Sequence, residues 1–148
     1  MRKIIGVIGG SVIDADVYEL SYRVGKLIAE NGFLVCCGGL TGVMEAVCKG
    51  AKEAGGLTIG IIPSDRKEDA NEYCDIVIPT GMGVMRNVLV VRTSDVLIAI
   101  DGKYGTLSEI SIALNIGKKV VGLRTWDIEG VIKAATPEEA VNLAGSLL

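Results

Sequence analysis

At 148 residues, with 49% hydrophobic side chains and a mean hydropathy of +0.45, the chain is long enough for one domain with its own core and too apolar for a disordered or fibrous protein. Its apolar residues come in runs of five or six, far short of the roughly 18 that span a bilayer, so no membrane partner is expected. A net charge of −3 and 4% aromatics leave no basic stripe or stacking platform for nucleic acid, and the absence of histidine removes Ser-His-Asp and Cys-His chemistry and every imidazole metal site.

Along the chain, strand and helix alternate. Lys3–Ile8 reads as a first strand. Glycines break its apolar stretch and acids follow at Asp14 and Asp16, which argues against a targeting segment and for a cytoplasmic protein. Asp16-Val-Tyr-Glu19 has capping-box form, and Val17, Leu20, Val24, Leu27 and Ile28 then recur at helical spacing until Asn31-Gly32. Phe33–Cys37 is a second strand; a glycine turn opens a helix to about Ala54; Leu57–Ile62 is a third strand. The charged stretch from Pro63 to Tyr73 reads as a solvated loop. Strands follow at Asp75–Pro79, Asp95–Ile100 and Lys119–Leu123, with helices over Gly83–Arg92 and Thr106–Asn115 and a last one opened by the box Thr136-Pro-Glu-Glu139.

This alternation predicts an α/β domain spanning residues 1–148: a mainly parallel sheet of about six strands between two helical layers. Ligands of such sheets bind beyond the strand C-termini. There the chain clusters glycines: Gly9-Gly10-Ser11, Gly38-Gly39-Leu40-Thr41-Gly42, Thr80-Gly-Met-Gly83 and Asp101-Gly-Lys103-Tyr-Gly105-Thr106. Such a turn either makes a tight strand–helix connection or brings backbone N–H groups to an anion at a helix N-terminus. Several on one edge favour a small phosphorylated ligand, with Gly10, Ser11, Gly38, Gly39, Thr41, Gly42, Gly105 and Thr106 as its lining. No G-x-G-x-x-G or Walker sequence occurs, and no acid ends the second strand to hold a ribose.

Two charged residues stand out. Arg86 falls in the first turn of its helix, unfavourable for a cation unless an anion or carboxylate faces it; otherwise it is a surface arginine. Glu109 closes the capping-box sequence Thr106-Leu-Ser-Glu109, which either caps the helix or holds the carboxylate rigidly beside the glycine loop. Asp101 reaches toward the same cleft, and Lys103 either neutralises it or contacts the ligand. The cysteines Cys36, Cys37, Cys48 and Cys74 show no zinc spacing and no C-x-x-C; they read as small buried hydrophobes in a reducing compartment, with the adjacent Cys36 and Cys37 on opposite strand faces.

Cys37-Gly-Gly-Leu-Thr-Gly-Val-Met44, Met85-Arg-Asn87 and Ser94-Asp-Val-Leu-Ile-Ala-Ile-Asp-Gly-Lys-Tyr-Gly-Thr-Leu-Ser-Glu109 resemble the Lonely Guy superfamily, whose members often carry the label "possible lysine decarboxylase". The resemblance runs from the first strand to about Leu123. It implies a Rossmann-like three-layer αβα sandwich with a nucleotide-binding cleft and no required cofactor. Its enzymes hydrolyse the N-glycosidic bond of nucleoside 5′-monophosphates; the catalytic pair maps to Arg86 and Glu109. A sister branch resembles the molybdenum cofactor carrier protein and implies a bound nucleotide or molybdenum cofactor without chemistry; Asn87, where the enzymes have lysine, and Lys103 among the ligand-binding residues point that way. The resemblance also implies a homodimer or higher homo-oligomer, for which Val84, Val88, Val91, Ile110 and Leu114 are candidate apolar positions. Asp101 and Lys103 depart from the enzymes' P-G-G-x-G-T-x-x-E, and Cys37 stands for the first of three glycines. No Schiff-base lysine or pyridine partner for a decarboxylase can be assigned.

Overall fold

The computed structural model describes residues 1–148. Seven strands, β1 (Ile4–Gly9), β2 (Leu34–Cys37), β3 (Thr58–Ile62), β4 (Ile76–Pro79), β5 (Val96–Ile100), β6 (Val120–Leu123) and β7 (Val131–Ala134), form one sheet in the order β4-β3-β2-β1-β5-β6-β7. Every pairing is parallel. A parallel sheet needs both faces covered, and five helices do so. Helices α1 (Ala15–Glu30), α2 (Val43–Glu53) and α5 (Pro137–Ser146) contribute to one buried cluster, and α3 (Arg86–Thr93) and α4 (Tyr104–Asn115) to the other. Interior strand β5 serves both: Val96, Ile98 and Ile100 face the first cluster, Leu97 and Ala99 the second. Cys36 and Cys37 divide between the same two clusters, as strand alternation requires. No helix is long and apolar enough to cross a membrane.

Three expectations need correction. The sheet has seven strands, not six, because Val131–Ala134 adds an edge strand paired only to β6. It is short, half-exposed and carries Lys133, so it lacks the apolar run that marks the buried strands. The cap of α1 is Asp14, not Asp16: its carboxylate accepts the Val17 N–H at 2.9 Å, leaving Asp16 in the first turn. Gly83–Met85 forms a 3-10 turn, and α3 proper begins at Arg86. The box at the last helix is present. Thr136 accepts the Glu139 N–H at 3.1 Å, and the Glu139 carboxylate accepts from Ala135, one residue before the cap.

The strand order reverses at β1 and β5, so the loops leaving their C-termini run to opposite sides and leave a crevice. Tight contacts hold the walls together. Gly42 has φ +68, and a Cβ there would lie 2.3 Å from the Gly10 carbonyl. That closeness lets Val43 donate to the same carbonyl at 2.9 Å, while the Thr41 hydroxyl donates to Ser11 at 3.0 Å. The polar excursion after β3 contributes Asn71, whose backbone N–H and side-chain amide donate to the carbonyls of Gly39 and Leu40, each at 2.8 Å.

Candidate functional site

The crevice is a cleft of about 480 Å³ lined by the ends of β1, β2 and β5 and the starts of α2, α3 and α4. Gly10, Ser11, Gly38, Arg86, Asn87, Lys103, Gly105, Thr106 and Glu109 all lie on its wall. The other three residues expected there do not: Gly39, Thr41 and Gly42 sit behind the wall. Gly39 packs against Gly60 and Ile62, and the other two tie the second glycine loop to the first. Sequence reasoning left out Met44 and Leu40, which supply apolar wall, and Gly102. The signal for Gly102 was its place between a strand end and a helix start, where φ is +95.

The cleft's helix starts are open. A helix leaves its first N–H groups without intrahelical acceptors. At α4 the N-cap position belongs to Lys103, which supplies no side-chain cap, and Tyr104, Gly105 and Thr106 donate to no backbone carbonyl. At α2 the N-cap is Gly42, again without a side chain to accept, and Met44 and Glu45 likewise find no backbone acceptor. Two sets of free donors thus border one cavity, each at the positive end of a helix dipole.

Arg86 is neither a surface arginine nor a partner in an ion pair. Its guanidinium is half-buried, donating to the Ile61 carbonyl at 2.9 Å, to the Gly38 carbonyl at 3.3 Å and to the Asn87 side-chain oxygen. Asn87 is fixed in turn through its amide on Ser108 at 3.2 Å, and Ser108 on Gly105 at 2.7 Å. No carboxylate pairs with Arg86. Burial lowers its pKa, partly offset by Glu109. A cation so placed, oriented only by neutral groups, leaves its charge free for an anion in the cleft.

Glu109 does not cap its helix. The turn Asp101-Gly102, with φ +51 and +95, lets α4 start at Tyr104, which puts Glu109 in the second turn, beyond capping reach. Its side chain lines the cleft at 7% exposure and accepts no hydrogen bond from the protein. Burial pushes the carboxyl up to about 8, against the pull of Arg86. Asp101 lies on the wall near Gly10, but Lys103 forms no ion pair with it; Lys103 is exposed at the rim, its carbonyl receiving the Trp126 indole N–H at 2.9 Å.

Known proteins share this fold and much of this sequence. The SLOG cluster4 family model matches residues 2–146. An uncharacterized protein of Archaeoglobus fulgidus is 54% identical over 140 residues, 93% of this chain and 91% of its own. A cytokinin riboside 5′-monophosphate phosphoribohydrolase of Mycobacterium tuberculosis is 36% identical over 76% of this chain; the match spans 65% of that enzyme, just under two thirds of its length. The solved structure of the molybdenum cofactor binding protein from Rippkaea orientalis superimposes with a TM-score of 0.94 at 38% identity, covering 99% of this chain and 98% of its own.

Proposed function

This chain belongs to the SLOG cluster4 family, within the Lonely Guy superfamily and its molybdenum cofactor carrier-like branch, and from that premise we propose that its cleft binds a small phosphorylated pterin or nucleotide, molybdenum cofactor included, and holds it intact. The observation that carries this reading is the half-buried, carboxylate-free Arg86 facing the open N-termini of α2 and α4. In this reading the phosphate accepts from Arg86 and from the N–H groups of Gly105 and Thr106, while Met44 and Leu40 cover a flat ring. Lys103 at the rim adds attraction for an anion. Gly10, Ser11 and Gly38 admit the ligand backbone-close, and Asn87 aims the arginine.

A second reading has a specific observation behind it. A carboxyl near pH 8 with no hydrogen bond in the protein is poised to exchange a proton with a reacting group. Beside a nucleoside 5′-monophosphate, ionised Glu109 would stabilise an oxocarbenium-like transition state or orient water while Arg86 holds the phosphate. This is the phosphoribohydrolase reading. A chromatographic assay for free base and ribose 5-phosphate decides between the two. The binding reading expects no release across a panel of nucleoside monophosphates; release that disappears in Glu109→Gln overturns it in favour of hydrolysis. The phosphate site itself is tested by calorimetry with AMP and a phosphorylated pterin. Arg86→Ala should weaken binding about tenfold to a hundredfold, the loss of charge-assisted hydrogen bonds worth about 1.5–3 kcal/mol, and unchanged affinity would refute the assignment. Both readings fit association of two copies, for which Met82, Val84 and Met85 offer exposed apolar side chains beside the cleft; Val91 and Ile110 are buried against the sheet instead.

A further inference from the structure

A second cluster of chemically capable groups lies behind the cleft, on the inner side of the glycine loop. Cys37 ends β2, Cys48 lies in the middle of α2, and Cys74 sits just before β4. Their sulfurs all lie within 4.8 Å of one another, and Cys37 and Cys48 approach to 3.4 Å. Three sulfurs around one ion, at a metal–sulfur distance of about 2.3 Å, stand about 4 Å apart. The surroundings make room for this arrangement. Position 60 on β3 is glycine, and a Cβ there would lie 2.6 Å from the Cys74 sulfur. The Gly39 N–H donates to the Cys37 sulfur at 3.3 Å, the kind of outer hydrogen bond that orients and stabilises a thiolate ligand. Cys37 and Cys48 are fully buried and Cys74 half-buried, which gives an ion a way in through Cys74.

The donor set narrows the ion. Hard cations need oxygen ligands. The common two-iron and four-iron sulfur clusters take four cysteines, and the fourth thiol of this chain, Cys36, faces the opposite side of the sheet. Structural zinc takes four ligands. The chain has no histidine, and the adjacent carboxylate, Asp75, is engaged by Lys52, the Thr58 N–H and the Thr58 hydroxyl. What remains is a soft ion content with two or three thiolates in a dry, aliphatic shell.

We propose that Cys37, Cys48 and Cys74 form a site for one Cu(I) ion per chain. Each ligating thiol gives up its proton to solvent as its sulfur binds, with no change of oxidation state. The site is built into the cleft wall. Cys37 leads directly into Gly38, whose carbonyl receives Arg86, and the Cys37 thiol faces the carbonyl of Met44 at 3.8 Å. Asn71, three residues before Cys74, holds Gly39 and Leu40. A bound ion therefore cross-links three segments that shape the cleft, whatever the cleft binds.

The test is an anaerobic titration of the reduced protein with Cu(I) in competition with bicinchoninate, read from the colour of the chelate. One equivalent per chain should be withdrawn, and X-ray absorption of the complex should show sulfur ligands alone. Cys74→Ser, at the half-buried position, should lower the affinity at least a hundredfold while circular dichroism shows the fold retained. Cys48→Ala should do the same, and Cys36→Ala should leave both stoichiometry and affinity unchanged. Withdrawal of no copper would overturn the site, as would equal affinity in Cys74→Ser, equal loss in Cys36→Ala, or formation of a Cys37–Cys48 disulfide in place of a complex.

Discussion

Four of the five α-helices start in one of two ways; the fifth, α3, continues a 3-10 turn. Helices α1 and α5 open on side chains that close their own donors: Asp14 accepts from Val17, and Thr136 from Glu139. Helices α2 and α4 open on Gly42 and Lys103, which close none. A good N-cap is worth about 1 kcal/mol, so each uncapped start forgoes roughly that much stability. No residue of α1 or α5 lines the crevice, whereas Met44 of α2 and Gly105 and Thr106 of α4 do. Local stability is given up where donors are needed by something other than the chain. Glu109 follows the same rule, being a buried acid with no protein partner where a fully stabilised helix would place an apolar residue.

The largest effect should come from that acid. Its carboxyl titrates near 8 in the folded protein against 4.5 ordinarily. Between those values the unfolded chain has lost a proton that the native state keeps, so the group's contribution to stability falls as pH rises from about 4.5 to about 8, then stays constant. The total is at most about 5 kcal/mol at 1.36 kcal/mol per unit. Glu109→Gln should therefore raise the melting temperature clearly at pH 8.5 and hardly at all at pH 5; an equal shift at both would mean that the carboxyl is not perturbed. Next comes the seam between the open starts. Gly42→Ala forces a Cβ at positive φ against the Gly10 carbonyl and should cost about 3 kcal/mol in denaturant unfolding. A loss under 1 kcal/mol would mean that the two glycine loops part easily. The smallest effects belong to the capped starts. Asp14→Ala and Thr136→Ala should each cost about 1 kcal/mol and leave phosphate affinity untouched; a change in affinity would break the division between structural and open helix starts.

Much of this was legible in the chain. Buried apolar runs alternating with 3.6-residue periodicity specify a parallel sheet between helices, and clustered glycines at strand ends mark its binding edge. Strand β7 was not, because an edge strand with a lysine and half-exposed valine and isoleucine has no distinguishing pattern. Glu109 was half legible. Its sequence fits a capping box, and only the left-handed turn at Asp101-Gly102 moves the helix start back two residues and frees the carboxylate. Thr41 and Gly42 were read as lining because they share a loop with Gly38, but residues on the far side of a tight turn face inward and hold the loop together. The thiol trio was invisible. No metal motif spans such separations, and only the β2-α2-β3-β4 order folds Cys74 back over Cys37 and Cys48.

The β1–β5 pairing has a consequence for the order of assembly. It sets Ile5 beside Val96, and it is pinned by the Asp95 carboxylate accepting the Ile4 N–H across 91 residues of chain. Such a long loop closes slowly and late. Strands β1 to β4 can dock in succession as they emerge from synthesis, but the crevice has no second wall until β5 inserts next to β1. A nascent chain stalled before residue 96 would carry Arg86 and the first two glycine loops yet have no cleft, and the second wall is complete only when α4 has followed, so ligand capture waits on the chain through Glu109.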